Sequence, residues 1–155
     1  MSRYCLDTSA FSEFKRGNPQ VVDLIDRAEW VGMPAITIGE LRSGFLQGAQ
    51  RARNEAELVA FLNNPAVEVL PVDDSVAGVY AEMLVDLKKA GRPLPTNDIW
   101  IAATAVRAGA PVLTYDPHFT SIARAGSLVL SRPVPGAAGP AIPYQGPGNG
   151  SGSER

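Results

Sequence analysis

The sequence predicts an α/β fold in which helices flank a central parallel sheet of four or five strands. Along residues 1–130, short apolar runs alternate with segments of helical periodicity, an order typical of parallel strands joined by crossover helices. The 155 residues are 45% hydrophobic, which is enough for one sizeable core but too short a chain for two ordinary domains. We therefore expect one α/β domain over residues 1–130.

The first half of the chain is predicted to contain two strands and four helices. Pro19 suits the first turn of a helix, where its missing N–H has no partner, and Asn64-Pro65 is a helix stop. A strand is expected in the second apolar run despite Pro34. The predicted strands cover residues 4–6 and 31–36, and the predicted helices cover about 9–15, 19–28, 37 or 38–47, and 51–63.

The second half has the clearest helical pattern, formed by Val76, Val79, Tyr80, Met83, Leu84 and Leu87. Lys88, Lys89 and Gly91 mark the end of that helix. Residues 97–108 are apolar nearly all round, which predicts a buried helix. Strands are expected at 67–70 and 111–114, and Leu128 and Val129 are candidates for a fifth.

Residues 131–155 differ in composition from the rest of the chain. Five prolines and six glycines occur in these 25 residues. Such a segment buries too little apolar area to offset the entropy lost on ordering it. We expect a disordered tail.

Composition excludes several classes of protein. The apolar runs fall short of the roughly 18 residues of a membrane span, and residues 1–7 lack signal-peptide order, so we expect a soluble cytoplasmic protein. The single cysteine, Cys5, excludes internal disulfides and cysteine metal clusters, and a small buried hydrophobe is its simplest role. A charge of -2 and a pI near 5.4 argue against a general basic field for nucleic acid, although local Arg and Lys clusters can still contact phosphates.

Four acidic residues stand where a parallel sheet would gather them. Asp7 ends the first strand and Asp116 follows the fourth by two residues, at the edge where open α/β sheets bind ligands. Asp98 lies in the first turn of the buried helix, and Glu40 lies near the start of the helix after the second strand. Taken singly, the aspartates also suit helix caps or the helix dipole, and such a purely structural explanation is weakest for Glu40, whose neighbours are largely apolar.

The conjunction of these acids predicts a divalent cation. Four carboxylates cannot all stay ionised at close range without a compensating positive charge. Oxygen-only ligation indicates Mg²⁺ or Mn²⁺, because neither a cysteine pair nor a second histidine is present to favour zinc. Such a site can activate water and neutralise charge on a phosphate.

The acids also stand in a recognisable set of motifs: Leu6-Asp7-Thr8-Ser9, Glu40-Leu41, Asp98-Ile99-Trp100-Ile101-Ala102-Ala103 and Thr114-Tyr115-Asp116-Pro117-His118-Phe119. Over residues 3–130 this order resembles a PIN domain and, more narrowly, the VapC toxins of bacterial toxin–antitoxin pairs. The resemblance implies a three-layer PIN-like fold and an endoribonuclease that uses Mg²⁺ or Mn²⁺. It also implies a homodimer that a cognate antitoxin inhibits, with Asp7, Glu40, Asp98 and Asp116 as catalytic, metal-binding residues.

Several neighbouring residues are secondary candidates. By the same resemblance, Thr8, Asn97 and Thr114 can orient a carboxylate or a water, although helix caps and strand-end hydrogen bonds explain them equally well. Arg42 is a candidate RNA contact because it shares a helix with Glu40. We expect His118, the only histidine, to be dispensable, since four acids can activate water without an imidazole.

Two other functions remain open at the level of sequence. One is a phosphohydrolase in which Asp7 attacks phosphorus directly, but such sites normally place a second Asp two residues later, where this chain has Ser9. The other is a binding module that keeps the PIN-like fold without cleaving RNA. The presence of all four acids argues against the binding module.

Overall fold

A computed structural model gives the structure of residues 2–132, and Met1 and residues 133–155 lie outside the described part. The predicted tail, 131–155, falls almost wholly outside it. In chain order the elements are β1 Arg3–Leu6, α1 Thr8–Lys15, α2 Pro19–Arg27, β2 Trp30–Pro34, α3 Ala35–Gln47, α4 Arg51–Leu62, β3 Val67–Leu70, α5 Asp74–Lys89, α6 Thr96–Ala108, β4 Val112–Thr114, a 3₁₀ helix Pro117–Ser121 and β5 Ser127–Val129.

The five strands form one parallel sheet in the order β3-β2-β1-β4-β5. In the central strand β1, Cys5 pairs with Gly32 of β2 on one side and with Val112 of β4 on the other. The chain therefore winds outward from β1 to β3 and then returns to build the other half of the sheet. The predicted parallel sheet is confirmed.

Helices cover both faces of the sheet, and successive strand residues point to opposite layers. Leu6 and Leu113 belong to an apolar cluster with side chains from α1, α2, α3 and α4. Their neighbours Cys5 and Val112 belong to a second cluster with side chains from α5 and α6. This alternation follows from the two-residue period of a strand. The three-layer arrangement and the burial of Cys5 are confirmed.

The boundary between β2 and α3 differs from the prediction. A strand was expected over residues 31–36, but β2 ends at Pro34 and α3 begins at Ala35. Pro34 still pairs with Leu70 of β3, but it has no N–H to donate, and the strand ends there. Thr37 lies in the first turns of α3, where its hydroxyl donates to the carbonyl of Leu6 at 2.9 Å. This bond fixes the start of α3 to the end of β1.

Helices α5 and α6 pack side by side in opposite directions. Arg107 near the end of α6 donates from Nε to Oγ of Ser75 near the start of α5, at 3.1 Å. Halfway along, Tyr80 stacks on Trp100 with ring centroids 3.7 Å apart. The C-terminal end of α5 therefore lies beside the first turn of α6. Trp100, expected in the core, is half-buried in this pair.

No helix in the described part of the chain combines the length and apolarity needed to span a membrane.

Candidate active site

The candidate site lies at the carboxyl edge of the sheet, where β1 and β4 end side by side. The strand order reverses its direction between these two strands, and open α/β sheets bind ligands at such a point. Asp7 follows β1 directly, and Asp116 follows β4 by two residues. The topology therefore brings together two acids that are far apart in sequence.

Asp7 combines a helix cap with its place at this edge. Its Oδ1 accepts the backbone N–H of Ala10 at 2.9 Å, which caps α1. The residue is only 5% exposed. Burial raises the pKa of Asp7, although hydrogen bonds from Thr114, Ala10 and Ser9 act in the opposite direction. The capping role that the sequence left open is thus present, and it fixes the direction of the carboxylate.

Two hydroxyl groups join Asp7 to the loop that follows β4. Thr114 donates from Oγ1 to Oδ2 of Asp7 at 2.5 Å and accepts the backbone N–H of Asp116 at 2.9 Å. Ser9 Oγ lies 2.8 and 2.9 Å from the two carboxylate oxygens and accepts the backbone N–H of Tyr115 at 2.9 Å. Since an ionised carboxylate only accepts hydrogen bonds, each hydroxyl donates its single proton to Asp7 and accepts the N–H on a lone pair. The loop of Asp116 is thereby held against Asp7.

Asp116 begins the short 3₁₀ helix and contacts His118 twice. Its Oδ1 accepts the backbone N–H of His118 at 2.9 Å and lies 3.1 Å from Nδ1 of the imidazole ring. The His118 side chain is 66% exposed. The ring therefore lies on the outer side of the site.

Glu40 and Asp98 reach the site from two helices. Glu40, in the second turn of α3, accepts a hydrogen bond from the Thr8 hydroxyl at 3.0 Å, which joins α3 to the start of α1. Asp98 is half-buried in the first turn of α6. Among residues 2–132 no hydrogen-bond donor contacts its carboxylate, so Asp98 is the acid that internal bonding leaves uncommitted.

The four carboxylates share one electrostatic environment. The pKa of Asp98 is raised from 3.8 to about 6, first by burial and then by the negative charges of Asp116, Glu40 and Asp7. The nearby His118 acts in the opposite direction. The negative charge of Asp116 also raises the pKa of Asp7. The four acids selected from the sequence therefore lie close enough to repel one another.

This donor set fits a hard divalent cation in its chemistry. Its ligand atoms are carboxylate oxygens, and their mutual repulsion is the interaction that a bound cation relieves. As the side chains stand, however, no three His, Cys, Asp or Glu groups within residues 2–132 are arranged to hold a metal ion. Cation binding at this edge therefore requires side chains to turn towards a common point.

The secondary candidates occupy different environments. Thr8 and Thr114 each donate a hydrogen bond to one of the four acids. Asn97 is exposed at the start of α6, and no side-chain hydrogen bond of Asn97 occurs in the described residues. Arg42 is paired with Glu55 of α4, with both Nε and an Nη atom 2.9 Å from Oε1. Any RNA contact by Arg42 would have to compete with that pair.

Ser9 is the site residue that sequence reasoning missed. The signal is the Asp-x-Ser spacing at a helix start, where a hydroxyl two residues after the capping Asp turns back onto it. That spacing alone does not identify a site, because Asp73 and Ser75 repeat it at the start of α5 with a 2.7 Å hydrogen bond. Asp73 is the cap of α5. What distinguishes Ser9 is its second bond, across the sheet to Tyr115.

The fold and the acidic edge define a class of protein. Residues 4–125 match the PIN domain family, so the chain belongs to that family.

Several named proteins and a solved structure are similar to this chain. Ribonuclease VapC5 of Mycobacterium tuberculosis is 35% identical over 128 residues, which is 82% of this chain and 93% of the relative. Toxin FitB of Neisseria gonorrhoeae is 35% identical over 119 residues, 72% of this chain and 86% of the relative. The crystal structure of VapBC-5, a toxin–antitoxin system from Mycobacterium tuberculosis, superposes with a TM-score of 0.63 at 30% identity, covering 85% of this chain and all of that one.

Proposed function

We propose that this chain is a metal-dependent endoribonuclease and the toxin of a toxin–antitoxin pair of the VapBC type. Membership of the PIN domain family and the names of its ribonuclease relatives support the activity. The observation that carries the proposal is the electrostatic coupling of Asp98 to Asp116, Glu40 and Asp7 at the carboxyl edge. Such a cluster is unfavourable unless a cation occupies it.

In this proposal the four acids hold Mg²⁺ or Mn²⁺, and the neighbouring hydroxyls position them. A divalent cation in such a site makes water more acidic and neutralises charge on phosphate oxygens, which promotes hydrolysis of a phosphodiester bond. Thr114 and Ser9 keep Asp7 aligned with the loop of Asp116, and Thr8 holds Glu40. The carboxylate of Asp98 accepts no hydrogen bond within the described structure and is available to a ligand.

Cleavage of RNA by the purified protein tests the activity. We expect excess chelator to abolish cleavage, Mg²⁺ or Mn²⁺ to restore it, and Asp98→Asn to reduce the rate by at least a hundredfold. His118→Ala is the matched control, because His118 touches Asp116 but lies on the exposed side of the site. Undiminished cleavage in chelator would exclude the mechanism. If His118→Ala lowered the cleavage rate as much as Asp98→Asn while Mn²⁺ affinity stayed unchanged, His118 would be assigned the role of general base.

The aspartyl phosphohydrolase is less well supported. Ser9 occupies the position where such enzymes carry a second Asp, and its hydroxyl contacts both oxygens of Asp7. Asp7 therefore lacks the second acid that such enzymes normally place two residues after the nucleophile.

The proposed regulatory partner is a small antitoxin that acts on a homodimer of this chain in the cytoplasm. A peptide that inserts an arginine or lysine among the acids would pair with them and compete with the cation. We therefore expect co-expression with the adjacent small reading frame to yield a complex whose inhibition weakens as Mg²⁺ rises. Light scattering of the free protein measures its oligomeric state. A protein that is harmless alone and captures no small partner would contradict the toxin role, but not the nuclease.

A further inference from the structure

The basic side chains of this protein are mostly committed to internal partners. Within residues 2–132, six of them form ion pairs with acids: Lys15, Arg16, Arg27, Arg42, Arg53 and Arg124. Arg3 lies over the Trp30 ring and Arg107 donates to Ser75, while Lys89 and Arg132 interact only electrostatically, with Asp86 and Tyr115. The basic side chains left without such a partner in the described structure are Arg51, Lys88 and Arg92.

Two of these three, Lys88 and Arg92, are close in sequence at the C-terminal end of α5. Lys88 is in the last turn of α5, and Arg92 follows in the loop that leads into α6. The antiparallel packing of α5 on α6 puts this end of α5 beside the first turn of α6, which carries Asp98. Lys88, Lys89 and Arg92 are all exposed. We call Lys88, Lys89 and Arg92 the loop cations.

Their position matters because the rest of the molecule offers little attraction to a polyanion. The formal net charge is -2, and the acids of the site themselves repel phosphate. Affinity for RNA comes largely from cations that neutralise its phosphates and release counterions. A cation already paired with a carboxylate must first give up that partner, whereas an unpaired one need not.

We propose that the loop cations, chiefly Lys88 and Arg92, bind the RNA backbone next to the phosphodiester that the acidic site cleaves. This inference rests on the proposed ribonuclease function. In this arrangement the RNA strand runs along the end of α5 and the start of α6. Arg42, the contact expected from sequence, is less suited because Glu55 already occupies its guanidinium at 2.9 Å. Arg51 is unpaired but stands alone at the start of α4, without a neighbouring free cation in the described structure.

The test is the salt dependence of RNA binding, measured by fluorescence anisotropy with a labelled single-stranded RNA of mixed sequence at constant Mg²⁺. All proteins carry Asp98→Asn so that the probe stays intact. For single strands the slope of log K against log salt is negative, and each lost phosphate contact reduces its magnitude by about 0.7. We expect Lys88→Gln with Arg92→Gln to reduce the magnitude of the slope by about 1.4, for two contacts.

Matched variants separate this surface from general charge. Arg16→Gln with Arg27→Gln changes the net charge equally but removes paired cations elsewhere, and it should leave the slope unchanged. Lys88→Arg with Arg92→Lys keeps both positive charges and should therefore retain the slope of the parent protein. An unchanged slope in the Lys88/Arg92 variant overturns the proposal. So does a control pair whose slope falls in magnitude by as much, or a slope that falls in magnitude only with Arg51→Gln. If the parent protein binds no RNA at all, the ribonuclease and this inference fail together; normal binding with an unchanged slope removes only the inference.

Discussion

Thr114 holds two parts of the site at once, and its hydroxyl is the group to remove. Replacing it by valine keeps the shape but leaves the Asp116 N–H without a partner and removes one of the two hydroxyls that contact Oδ2 of Asp7, so that only Ser9 remains there. We expect Thr114→Val to cost about 1–3 kcal/mol of stability and to lower cleavage strongly, because buried polar groups lose their bonds. Thr114→Ser retains the hydroxyl and should rescue both. Denaturant unfolding and cleavage rates measure the effects, and equal damage from both variants would show that the methyl group matters instead.

Asp98 should make the metal-free protein less stable as pH rises. Its pKa is raised to about 6 from 3.8, so the folded state binds the proton more tightly than the unfolded chain. The stability that this adds is fully present below about pH 4 and is lost as pH rises to about 6. After allowance for partial exposure we expect a loss of about 1 kcal/mol. Melting in chelator across this range checks it, with Asp98→Asn as the reference that lacks this one titration, and parallel curves for the two proteins would contradict it.

At the scale of elements, α4 is the helix with the smallest buried surface for its length. Leu58 is its one fully buried side chain, beside the aromatic group of Phe11, Phe14 and Phe61. Leu58→Ala should therefore destabilise the protein by about 2–4 kcal/mol. Val59, the next residue, is 43% exposed, and Val59→Ala should change stability by less than about 0.5 kcal/mol. Similar unfolding midpoints for the two variants would show that α4 is not anchored through Leu58.

Sequence patterns located the elements better than their boundaries and contacts. Apolar runs such as that of β4 identify buried strands, and the acids were found because strand ends meet at one edge of a parallel sheet. The predicted end of β2 was wrong by two residues, because the apolar run continues to Ile36 although the strand stops at Pro34. The pairing of Arg42 with Glu55 depends on how α3 packs on α4, which no local pattern encodes. The same holds for the bond from Tyr115 to Ser9.

At the scale of the whole molecule, the division into a domain over residues 1–130 and a tail stays a prediction. We expect a chain that ends at Leu130 to fold and to cleave RNA nearly as well as the full chain, because the composition of 131–155 offers little apolar area. The last strand, β5, and the bond from the Leu130 N–H to the Thr114 carbonyl at 2.8 Å would both be kept. Melting temperature and cleavage rate are the measurements, and a fall of several degrees would show that the tail packs on the domain.

The bond between Asp7 and Thr114 also determines when, during translation, the acidic site can form. The two residues are 107 positions apart, so at about 5–20 residues per second a ribosome needs roughly 5–20 s to pass from one to the other. During that interval the nascent chain contains Asp7 but not the loop that completes its surroundings. The product therefore cannot attack RNA until translation has passed Asp116. We expect chains that stop at Gly109 to be harmless on expression without an antitoxin, so incomplete synthesis would release no active toxin.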